Sequence, residues 1–137
     1  SGIEDLSYLQ KLELEDNALE RLPEEMKWLD RLTDLQLQNN KLQALPSGIG
    51  SMSNLEKLNV RGNNLPELPV TIGDLNNLTY LNVGHNDLTI LPDNLCALLS
   101  AGLSINIECN ELDLTTVDSC FENELGSQGD HPNCVGN

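Results

Sequence analysis

The sequence predicts a solenoid, a stack of short coils each made of a strand and a returning arm, and three observations predict it. The first is a period. Asn residues that follow a pair of leucines fall at Asn17, Asn40, Asn63, Asn86 and Asn110, separated by 23, 23, 23 and 24 residues, and a fixed period of this length marks stacked units. The second is the spacing inside a unit. Between Leu37 and Leu55, Pro46 breaks any helical period, and Gln43 and Ala44 break strict alternation, so neither a helix nor a plain strand accounts for the pattern. The third appears when the units are written one above another. Leu12, Leu35, Leu58, Leu81 and Ile105 form one aliphatic column, and Leu14, Leu37, Val60, Val83 and Ile107 form the next.

Each part of the unit has a physical reason. Leu35 and Leu37 flank Gln36, a period of two that fits a short strand with both leucines inward and the glutamine outward. At the bend that follows, backbone groups turn inward without a sheet partner. An Asn side chain can both donate and accept there, so the recurrent Asn is expected to satisfy the turn rather than a ligand. Beyond Leu42 the chain travels back. Pro46 presets its backbone angle and gives up an N–H, while Ile49 and Met52 anchor a loose or partly helical convex arm. A single coil leaves half of each leucine uncovered, and its neighbour supplies the cover. At about 1.5–3 kcal/mol for each fully buried aliphatic side chain, the columns are the main driving force.

The repeated text, Leu-x-x-Leu-x-Leu-x-x-Asn-x-Leu-x-x-Leu-Pro-x-x-Ile-x-x-Leu, resembles the leucine-rich repeat proteins, of the 23-residue class whose coils carry Leu-Pro-x-x-Ile, over about residues 3 to 120. The resemblance implies an α/β fold: a right-handed leucine-rich repeat solenoid with a concave parallel sheet and irregular or short-helical convex arms. On this reading residues 1–8 are the tail of a preceding coil, 9–101 are four repeats, and 102–137 are a degenerate fifth repeat and a disulfide-stapled cap. Ile3, Leu6 and Leu9 match Ile49, Met52 and Leu55, so the chain is expected to start mid-coil and to come from a longer protein. Leu65-Pro66-Glu67-Leu68-Pro69 is similar to the doubled-proline motif of bacterial effector repeats, although only the third coil carries it. The cysteine-flanked amino-terminal cap of animal receptors is missing.

All four cysteines, Cys96, Cys109, Cys120 and Cys134, lie where the repeat decays. They can pair in three ways. The favoured pairing joins Cys96 to Cys120, both on the convex side of adjacent coils, and Cys109 to Cys134, pinning the acid- and glycine-rich tail to the last strand. A zinc site built from Cys109, Cys120, His131 and Cys134 lacks the close Cys-x-x-Cys knuckle of such sites, and no metal or other cofactor is expected. Disulfides imply an oxidising compartment, so the protein is expected to be extracellular, on the cell surface or periplasmic. Asn77-Leu78-Thr79 is an N-glycosylation triplet.

Net charge is −15, and every Lys and Arg, seven in all, lies at or before Arg61. An acidic carboxyl-terminal half argues against nucleic acid and anionic membrane as partners. No apolar run is long enough for a membrane span. The sequence holds no nucleophile elbow, phosphate loop or zinc-protease signature, and no catalytic residue is expected.

Function is therefore expected on the concave sheet. Its central outward column reads Glu13, Gln36, Asn59, Asn82 and Asn106, flanked by Lys11, Asp34, Lys57, Tyr80 and Ser104 and by Glu15, Gln38, Arg61, Gly84 and Glu108. Amides bond peptide groups and sugar hydroxyls equally well, and Arg and Tyr are favoured interface anchors. The expected contact residues are Gln36, Gln38, Lys57, Asn59, Arg61, Tyr80, Asn82 and His85, meeting a protein, peptide or glycan. A rival reading is a structural or adhesive segment that self-associates through its open amino-terminal end. Trp28 stands where later coils hold Ser51, Asp74 and Ala97; it either packs across the first coils or belongs to a second interface.

Overall fold

A computed structural model describes residues 2–125 and Cys134. His131 and most of the tail beyond Leu125 lie outside the described residues. Five three-residue strands, β1 (Lys11–Glu13), β2 (Asp34–Gln36), β3 (Lys57–Asn59), β4 (Tyr80–Asn82) and β5 (Ser104–Asn106), form one parallel sheet in chain order. Their register places Leu12 on Leu35, Leu35 on Leu58, Leu58 on Leu81 and Leu81 on Ile105. The aliphatic columns read from the sequence are thus columns in space. Leu35, Leu37, Leu58, Val60, Leu81 and Val83 are fully buried. Leu12 and Leu14, in the first coil, are only partly so.

The return arms begin at proline. Pro23, Pro46 and Pro69 hold extended backbone, and 3-10 helices follow at Glu24–Trp28, Ser47–Ser51 and Val70–Asp74. Proline suits this position because its missing N–H is one the first turn cannot pair. Met26, Ile49 and Ile72 point inward from these helices. In the fourth coil the arm is a true helix, α1 (Leu95–Ser100). Every convex arm of the first four coils is therefore a short helix, a tighter answer than the loose arm the spacing left open.

The bend after each strand has a shared backbone shape. Asp16, Asn39, Gly62, His85 and Cys109 all adopt left-handed φ, between 53° and 67°. The N–H of each of the first four donates to a carbonyl of the next coil: Asp16 to Gln38, Asn39 to Arg61, Gly62 to Gly84 and His85 to Glu108, at 2.8–3.0 Å. Asn, Asp, His and Gly are the residues that tolerate this conformation most often. The Asn ladder lies just beyond it. Asn63 donates from Nδ2 to Leu37 O at 3.0 Å and Val60 O at 2.9 Å, and its Oδ1 accepts from Leu42 N–H at 2.9 Å. Asn40, Asn86 and Asn110 repeat the pattern. The recurrent Asn is structural, as its position predicted.

At the carboxyl end the structure pairs Cys96 with Cys120 and Cys109 with Cys134, with Cα–Cα distances of 5.7 and 5.1 Å. Both separations lie within the ordinary range for a disulfide. Phe121 is fully buried against the last coil, giving the cap an apolar anchor of its own.

Candidate functional site

The concave surface is built by side chains that alternate outward from the five strands. Gln36, Asn59, Arg61 and Tyr80 are half-buried and Lys57 is exposed, so these five stand together on neighbouring coils. Gln38 is also half-buried, and its Oε1 is enclosed without a hydrogen-bond partner. Two expected contact residues are instead buried: Asn82 is 8% exposed and His85 9%. For Asn82 the cause is a closed local circuit. Its Nδ2 donates to Tyr80 Oη at 3.1 Å and its Oδ1 accepts from Gly84 N–H at 3.1 Å. His85 occupies the left-handed bend, beside the column position of Cys109. Little of either side chain is therefore left exposed to a ligand.

The amides of the central column are largely engaged with one another. Gln36 donates to Asp34 at 2.6 Å and accepts from Asn59 at 3.1 Å, while Asn59 Oδ1 accepts from Arg61 N–H at 3.2 Å. The cations are a different matter. Lys11 is paired with Glu13 at 2.6 Å, and the hydrogen bond and charge of that carboxylate hold its ammonium above the ordinary lysine value. Among the described residues this is the single ion pair. Lys57 and Arg61 sit on one coil, flanking Asn59, with no carboxylate among the described residues within salt-bridge distance. The side chains left available to a ligand are therefore cationic and aromatic more than amide.

Two features lie off this face. Trp28 is 56% exposed and stacks under the Lys27 ammonium, 5.0 Å from the ring centroid, so it packs along its own arm rather than into the core. At the edge where arms lead into strands, a groove of about 360 Å³ is lined by Gln10, Thr33, Glu56, Arg31, Asn54 and Asn77. This groove was not among the sites expected from the sequence. Its signal was present, since both sets of three residues recur at the 23-residue spacing, but they share no common chemistry that would single them out.

A family model described as leucine rich repeat matches residues 30–88. None of the curated proteins compared matches the chain. Among solved structures, a leucine-rich repeat protein of Leptospira interrogans is 39% identical with a TM-score of 0.74, over 86% of this chain and 29% of that one. A plant peptide hormone receptor, RGFR1, in complex with RGF2, is 34% identical with a TM-score of 0.72, over 80% of this chain and 18% of the receptor. The chain thus spans less than a third of either structure.

Proposed function

Because the chain belongs to the leucine-rich repeat proteins, we propose that it is a non-catalytic recognition module that holds a protein, peptide or glycan against its concave sheet. The observation that carries this reading is the placement of Lys57 and Arg61 beside half-buried Tyr80 on the five-stranded face, neither cation meeting a described carboxylate within salt-bridge distance. A cation that a protein leaves without a partner in so acidic a chain is available to a ligand's carboxylate or carbonyl groups. Guanidinium adds directional, paired hydrogen bonds to such oxygens. The peptide-hormone complex of the similar plant receptor supports a peptide as one such ligand. The two disulfides support an oxidising compartment as the place where this binding happens.

The test is direct. The immobilised protein is screened against peptide and glycan arrays, and saturable hits are measured again with a Lys57→Glu/Arg61→Glu double variant. Lys57 is exposed and Arg61 only half-buried, and neither belongs to the apolar core, so the variant is expected to fold normally. A drop of at least about tenfold in affinity, equal to some 1.4 kcal/mol, is the expected result. Undiminished binding by the variant would remove the concave face from the mechanism.

A further inference from the structure

We propose that the groove at the arm-to-strand edge is a saccharide site, separate from the concave surface. Its walls are two columns that climb through adjacent coils: Gln10, Thr33 and Glu56 on one, Arg31, Asn54 and Asn77 on the other. Within each column successive residues stand 23 apart, so each wall presents one polar group per coil. All six side chains are polar.

The groups are held in place. Asn54 Nδ2 donates to Asp30 O at 2.6 Å and Asn77 Nδ2 to Ser53 O at 2.7 Å. Each bond pins an amide by its nitrogen, and no residue among those described donates to either Oδ1. On the other wall, Thr33 Oγ1 is fixed on Gln10 O at 3.0 Å. Arg31 lies over the Tyr8 ring, 4.8 Å from its centroid, and makes no ion pair with the Glu56 carboxylate that shares the groove. A cation and an anion that line one cavity without meeting leave both to an occupant. The site therefore offers oriented acceptors at Asn54, Asn77 and Glu56 and a forked donor at Arg31.

A chain of hydroxyls matches that set. Each hydroxyl both donates and accepts, and a sugar ring carries several at fixed intervals. An apolar ligand would leave the polar groups of all six lining residues without partners, and a simple anion is opposed by Glu56. The volume is in the range of small-molecule sites and suits one or two sugar rings. Fixing the amides beforehand lowers the ordering cost of binding.

The experiment uses the full chain, produced in bacteria so that Asn77 carries no glycan of its own. Side-chain amide resonances of Asn54 and Asn77 are followed by NMR during titration with neutral hexoses, N-acetylhexosamines, uronic acids and their disaccharides, and with diglycine as a zwitterionic control. The expected result is a saturable shift of both amides with at least one sugar. Glu56→Gln and Arg31→Gln, both at exposed positions, should each weaken it about tenfold, and Lys57→Glu/Arg61→Glu should leave it intact. Three results would overturn the proposal: no saturable shift with any sugar, shifts confined to the concave strip, or preference for diglycine over every sugar.

Discussion

Asn63 shows how much one residue does in this molecule. It is 5% exposed, and its side chain satisfies two carbonyls and one N–H drawn from two successive coils. Leaving a single buried polar group unpaired costs about 1–3 kcal/mol, so Asn63→Ala should destabilise the fold by at least about 2 kcal/mol, as read by urea unfolding. A change below about 0.5 kcal/mol, the range of ordinary surface substitutions, would show that the ladder is ornamental. This residue was fully legible in the sequence, because only an amide performs the task and the same letter recurs at each bend. The left-handed column was not. Asp16, Asn39, Gly62, His85 and Cys109 have little in common beyond their backbone angle, and letters do not record that angle. The burial of Asn82 escaped for a related reason, since it depends on the Tyr80 hydroxyl and the Gly84 amide bonding the same side chain.

Among the elements, the strands were the easier to read. A strand of three residues needs one inward aliphatic and two outward polar groups, and the alternation around Leu35 or Leu58 states this outright. The arms were harder, because Ile49 and Met52 fix only their inward side. What makes the arms compact is the approach of one 3-10 helix to the next. A methyl group placed on Gly50 would collide with the Thr71 carbonyl oxygen and lie 2.7 Å from Thr71 Cβ, while Thr71 Oγ1 donates back to Ser47 O at 2.8 Å. The backbone on the far side cannot move without disturbing its own coil. Gly50→Ala should therefore cost about 1–3 kcal/mol, the usual penalty of overpacking. Ser51→Ala, exposed on the same helix, serves as the control and should fall within about 0.5 kcal/mol of the parent. Equal thermal stability of the two variants would mean that the arms are not closely packed.

For the molecule as a whole, stacking is sustained by contacts between neighbours and closed at one end by covalent bonds. The two disulfides span 24 and 25 residues, and each joins the last regular coils to the chain beyond them. Replacing Cys96 and Cys120 together by serine should lower unfolding free energy by about 2–4 kcal/mol. Hydrogen exchange should show the loss concentrated in β5 and the residues after it, with β2 and β3 least affected, as expected of a chain whose units touch only their neighbours. Alkylation of the native protein should label no thiol and, after reduction, all four; labelling before reduction would contradict the pairing. The concave candidates were half legible at this scale. Columns give positions, so Lys57, Arg61 and Tyr80 were placed by arithmetic alone, but which amides are already engaged depends on their neighbours in three dimensions. The same stitching governs how the protein yields under tension. A pull on its two ends puts the same tension through every coil, and the early coils yield first, where hydrogen bonds and greasy contacts fasten one turn to the next. Extension then runs coil by coil toward the carboxyl side and halts where sulfur has sewn the chain to itself, so the span closed by the two disulfides cannot be drawn out to full length.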